Sequence, residues 1–113
     1  MTPLSIARTA GKLALSKKGL DVKILKIKSI SNICDYFVIV SGDVDVHVRA
    51  IADAIDEGLR LKGVRPWHRE GMRSGNWILL DYVDVVVHIF QKSAREFYAL
   101  EKLWGDAPVE ELS

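Results

Sequence analysis

The chain has 113 residues, 49% of them hydrophobic, and its 16 basic and 15 acidic residues leave a formal charge of +1. That size and apolar fraction suit one domain around one core, and the near-neutral balance excludes binding held by a strong positive field on phosphates alone. A lone cysteine, Cys34, rules out an internal disulfide or a multi-cysteine zinc site, and the three histidines have no paired ligand spacing. The apolar runs, such as Tyr36 to Val40, fall far short of the roughly 20 residues that span a bilayer. These features point to an intracellular protein without a structural metal.

The spacing predicts a first helix over residues 3–18, with Thr2 and Pro3 as cap and first position and Lys17-Lys18-Gly19 as its cationic end and stop. Ile6, Ala10, Leu13 and Ala14 share one of its faces. The opening residues carry Arg8, Lys12, Lys17 and Lys18 without an acid, a pattern shared with targeting peptides, but the cap and stop signals favour a plain helix. Residues 22–27 alternate partly and read as a half-exposed strand, whereas Tyr36-Phe37-Val38-Ile39-Val40 is an uninterrupted β-prone run suited to the sheet centre.

Residues 44–62 carry Val44, Val48, Ile51, Ala52, Ile55 and Leu59 at helical period, and Gly63 supplies a stop. A glycine-rich, charged loop follows over 66–76, with a short strand around 64–68. Residues 77–80 and 85–90 then read as a hairpin joined through Asp81-Tyr82-Val83-Asp84. The S-x-x-E of Ser93 and Glu96 marks a capping box, so a last helix is expected from there, with Phe97, Leu100, Leu103 and Trp104 inward and an end near Gly105. The expectation is a single α/β domain over residues 1–105, a mixed sheet flanked by helices, and a short, mobile acidic tail over 106–113.

Three constellations bear on catalysis. Asp43-Val44-Asp45 after a buried strand, with Asp84, resembles a carboxylate set for magnesium-dependent nucleotidyl transfer. The glycine-serine turn and the basic residues that would receive a triphosphate are not in that arrangement, so Asp43 or Asp45 reads as an acidic cap on the long helix. Cys34 and Asp35 with His47, His68 or His88 specify no nucleophile geometry, and a buried thiol is the simpler reading. Ser41-Gly42 lacks any phosphate-cradle or nucleophile-elbow context.

The run Asp35-Tyr36-Phe37-Val38-Ile39, then Ser41-Gly42, closely resembles the D-Y-F-V-I-x-S-G signature of the RsfS or Iojap family of ribosomal silencing factors. Glu70-Gly71, Gly75-x-Trp77, Leu80-Asp81-Tyr82, Asp84-Val85-x-Val87-His88-x-Phe90, Arg95-x-x-Tyr98-x-Leu100-Glu101 and Leu103-Trp104 continue the resemblance in order. Val83, where the family usually has glycine, and the stretch Asp43 to Val46 depart from it. The resemblance implies a nucleotidyltransferase-like fold without a catalytic site, no cofactor and no enzyme activity. It implies a cytoplasmic protein that binds protein fourteen of the large ribosomal subunit at the intersubunit face, with at most minor ribosomal RNA contact. Subunit joining is thereby blocked and translation repressed under nutrient limitation; family members are often homodimeric when free. Within that frame Glu70, Trp77, Asp81, Tyr82, His88, Phe90 and Tyr98 are the expected partner-binding residues, being acids or aromatics in the hairpin and the adjoining segments.

Overall fold

The computed structural model describes the backbone of residues 1–113 and every side chain except that of Phe97, so the inward position expected for Phe97 lies outside the described residues. The Thr2 hydroxyl accepts from the Ser5 N–H at 3.1 Å and starts α1 (Pro3–Ser16). Its buried stripe is Ala7, Ala10, Gly11 and Ala14, with Ile6 and Leu13 at the margins. The stripe is made of small residues because α1 lies close to the sheet: a Cβ on Gly11 would collide with the Leu112 side chain.

Strands β1 (Leu20–Lys26), β2 (Tyr36–Gly42), β3 (His68–Glu70), β4 (Trp77–Asp81), β5 (Val85–Gln91) and β6 (Val109–Leu112) form one sheet in the order β3-β4-β5-β2-β1-β6. Only β2 and β5 run parallel, and the other neighbours are antiparallel. The run expected at the centre is there, buried along its whole length. β1 is interior in the strand order yet half-exposed as its alternation implied: Val22, Ile24 and Leu25 are buried, Lys23 is half-buried, and Asp21 and Lys26 are exposed.

What covers β1 is the C-terminal segment. Residues 106–113 are not a mobile tail: Val109–Leu112 pairs along β1, and Glu110 accepts from Arg8 Nε at 3.0 Å and Nη2 at 2.8 Å. Of the acids that made the segment look solvated, Glu111 is exposed on one face of this edge strand and Glu110 is half-buried on the other.

The long helix α2 (Asp45–Arg60) packs beside α1 on one face of the sheet, where Val38, Val40, Ile78, Leu80, Val87 and Ile89 complete the main core. Its N-cap is Val44, with no side-chain cap, so Asp45 acts in the first turn against the helix dipole and Asp43 lies before it. The other face is covered by two short pieces, α3 (Lys92–Tyr98) and α4 (Leu100–Leu103), instead of one helix. The break is Ala99, whose φ of +50° is left-handed. Ser93 makes no cap bond, because the helix already starts at Lys92 after Gln91. Leu103 is exposed, while Leu100 and Trp104 lie half-buried against a second cluster of Leu25, Phe37, Ile39 and Phe90.

The loop before β4 is fastened to α2. Arg49 donates through Nε to the Met72 carbonyl at 2.8 Å, through Nη2 to the Arg73 carbonyl at 2.6 Å and through Nη1 to Asp45 at 2.6 Å. Gly71 permits this path, having φ of +83° and a position where a Cβ would strike the Trp77 carbonyl. No helix among the described residues is long and apolar enough to cross a membrane.

Candidate functional site

Strand register decides which of the expected contact residues can act together. On β4, Ile78 and Leu80 face α1 and α2, so Trp77, Leu79 and Asp81 face the other way. The same alternation sends Val86, His88 and Phe90 of β5 to that side. Pairing lines up Glu70, Leu79 and His88 in one row and His68, Asp81 and Val86 in the next. Because α3 and α4 pack over β1, β2 and part of β5, the β3–β4 side of this face is left open.

Glu70, Trp77, Asp81, His88 and Phe90 therefore share one face, and Tyr98 joins them by packing its ring 4.7 Å from that of Trp77. Tyr82 does not. It follows β4 into the turn and points into the main core, beside the buried Asp56 that holds Arg60 at 2.5 Å and Arg69 at 2.6 Å. Burial, with the Asp56 charge, raises its phenol above the usual range, and Tyr82 packs as a core residue instead of lying on the face with the others.

Two others are corrected in the same way. Phe90 is 0% exposed and His88 4%, because Trp77 stacks on Phe90 at 4.9 Å and Phe37 sets its ring edge-on to His88 at 4.7 Å. They support the surface from beneath. Trp77 is half-buried above them, Asp81 is half-buried, and Glu70 and Tyr98 are exposed.

The open face carries residues that the sequence reading did not single out. Trp67 is 74% exposed, and with Ile33, Asp81, Val83 and Val86 it lines a groove of about 320 Å³. A tryptophan between Pro66 and His68, in a stretch with no alternation to bury it, was the available signal for Trp67. Ile33, an isolated apolar residue in a polar turn, was a second. The groove is apolar along its floor with one acid, Asp81, in its wall; Glu70 lies on the same face, and His68 Nε2 stands between the two, 3.8 Å from Asp81 and 3.6 Å from Glu70. Apolar surface of this kind with a charged border marks protein contacts.

The carboxylate set weighed for metal chemistry is not assembled. Asp43 follows the end of β2 and Asp84 precedes the start of β5; these strands run parallel with Tyr36 beside Val85 and Gly42 beside Gln91. The two acids thus lie at opposite ends of a seven-residue strand pair, roughly 20 Å apart at about 3.3 Å per residue. Asp43 is paired with Lys92 at 2.7 Å and Asp45 with Arg49 at 2.6 Å, and these contacts hold both carboxyls below their usual range. Among the described residues, no three His, Cys, Asp or Glu side chains cluster as metal ligands would. Cys34 is buried, and burial with the nearby Asp35 pushes its thiol up to about 11, so it stays protonated and poorly nucleophilic at neutral pH.

A family model described as "Ribosomal silencing factor during starvation" matches residues 1–113. Ribosomal silencing factor RsfS of Bacillus subtilis is 40% identical over 99% of this chain and 95% of its own length. The chloroplastic protein Iojap of Zea mays is 32% identical over 95% of this chain, which spans 47% of that longer protein. A crystal structure of a Chromobacterium violaceum protein, 31% identical, matches with a TM-score of 0.90 over 93% of this chain and 88% of that one.

Proposed function

This chain belongs to the ribosomal silencing factor (RsfS) family, and we propose that it docks through the open half of its sheet on protein fourteen of the large ribosomal subunit. The mechanism is steric: a rigid body seated on the intersubunit face excludes the small subunit, so translation is repressed without any bond being made or broken. Cytoplasmic action during nutrient limitation follows from the same reading.

The observation that carries it is the groove of Ile33, Trp67, Asp81, Val83 and Val86 on the part of the sheet face that α3 and α4 leave open. Its aromatic residue and aliphatic floor supply burial, and Asp81 and Glu70 supply attraction for a basic protein surface. The chain's net charge of +1 leaves little long-range pull on ribosomal RNA.

The test is sedimentation with purified subunits. The protein is expected to travel with large subunits, to be absent from small subunits and from joined ribosomes, and to keep separated subunits apart when magnesium is restored. Comparable binding to small subunits would overturn this reading.

A further inference from the structure

The parallel pair β2–β5 is where the chain changes sides: β2 leads into α2 on one face and β5 leads into α3 on the other. Open α/β sheets form a crevice beyond the carboxyl ends of such strands, and ligands settle there. In this protein that position holds a cavity of about 520 Å³ walled by Leu20, Asp21, Ser41, Arg95, Ala99 and Lys102. It lies at the far end of β2 and β5 from the groove around Val86.

Its wall contains a buried cation that is incompletely satisfied. Arg95 is 7% exposed; its Nη1 donates to the Asp21 carbonyl at 2.7 Å and to Ser41 Oγ at 2.9 Å, and its Nε donates to Glu101 at 2.7 Å. Nη2 is buried without a hydrogen-bond partner and is held only by an ion pair to Asp21 Oδ2 at 3.4 Å. A buried donor held by an ion pair without a well-formed hydrogen bond can gain from a better-placed acceptor. The backbone around it is strained as well. Asp21 and Ala99, neither of them glycine, both have φ of +50°, and β1 shifts register between Leu20 and Lys23. Outliers and bulges of this kind gather at ligand sites.

The charges around the cavity define what it would accept. Glu101 is already engaged by Arg95 and by Lys23 at 3.1 Å, whereas Lys102 pairs with no carboxylate among the described residues. Asp21 and Glu96 sit at the rim with exposed carboxylates. A bare anion would meet repulsion from these two, but hydroxyl groups would find acceptors. We propose that the cavity binds a small phosphomonoester with a hydroxylated body, of the ribonucleotide class. Phosphate oxygens accept from Arg95 Nη2 and Lys102, once the exposed Asp21 side chain swings aside, and ribose hydroxyls donate to the Glu96 carboxylate.

The experiment titrates adenosine monophosphate and inorganic phosphate separately into the full chain, read by calorimetry and by amide chemical shifts. Saturable binding of adenosine monophosphate in the micromolar to millimolar range is expected, tighter than phosphate, with shifts centred on Asp21, Ser41 and Lys102. Lys102→Ala, an exposed position, is expected to weaken it by about tenfold with an unchanged melting temperature. Arg95→Gln is expected to abolish it, and where that variant melts early the Lys102→Ala comparison decides. No saturable binding, equal affinity for phosphate alone, or equal affinity in Lys102→Ala would each overturn the proposal.

Discussion

The indole N–H of Trp77 donates to Nδ1 of His88 at 3.1 Å across the β4–β5 ladder. This fixes the neutral histidine with its proton on Nε2, an atom that is buried and has no partner. Burial lowers the His88 pKa from 6.5 to about 4, against an opposing pull from Asp81. Below pH 6.5 the unfolded chain takes up a proton that the folded chain refuses until about 4. The contribution is therefore complete above pH 6.5 and lost as pH falls toward 4, and at about 1.4 kcal/mol per unit it is roughly 3 kcal/mol.

Urea denaturation of the parent and of His88→Gln across that pH range checks this. Glutamine still offers Trp77 an acceptor but does not titrate, so the parent is expected to lose stability more steeply on acidification. Parallel pH dependences would show that His88 is not the titrating group.

The hairpin tip holds a second, local strain. Val83 has φ of +71° in a tight turn closed by the Asp84 N–H to the Tyr82 carbonyl at 2.9 Å. A left-handed backbone costs an L-residue roughly 1–2 kcal/mol, more so when it is β-branched, while glycine adopts it freely at some entropic cost. Val83→Gly is expected to raise stability by about 1 kcal/mol, seen as a higher urea midpoint at unchanged slope. A lower midpoint would mean that packing of the exposed Val83 matters more than its backbone.

Local pattern made much of this fold legible. Unbroken apolarity marked β2 as central, period marked α2, and two apolar runs around a four-residue link marked the hairpin, all close to their observed bounds. What escaped depended on distant partners. The acidic C-terminal segment becomes β6 only because β1 presents an edge and Arg8 meets Glu110 across the chain. The site was half legible: register puts Glu70, Trp77, Asp81, His88 and Phe90 on one face, but sequence cannot say that Trp77 roofs His88 and Phe90 and leaves Trp67 outside.

Arg49 is the fastening of that loop, and its removal tests whether the loop positions the docking face. Arg49→Ala deletes donors to the Met72 and Arg73 carbonyls, with an expected loss of about 1–2 kcal/mol. Amide exchange over residues 71–76 is expected to accelerate more than exchange in β2, with weaker large-subunit binding. Uniform acceleration would indicate global destabilisation and no special hold on the loop.

The two tryptophans of the open face separate surface from support. Trp67 is 74% exposed and no core cluster includes it, so Trp67→Ala is expected to change stability by no more than about 0.5 kcal/mol. As an aromatic anchor it is expected to contribute about 2 kcal/mol to docking, a loss of roughly thirtyfold in affinity for large subunits. Trp77 was the anchor expected from sequence, yet its ring stacks on Phe90 and bonds His88. Trp77→Ala uncovers one and leaves the other's Nδ1 unpaired, so it is expected to cost roughly 3 kcal/mol of stability in addition to any affinity. Competition binding to large subunits, paired with thermal unfolding of each free variant, reads both effects. A Trp67→Ala protein that melts normally and binds large subunits as tightly as the parent would remove the groove from the docking surface.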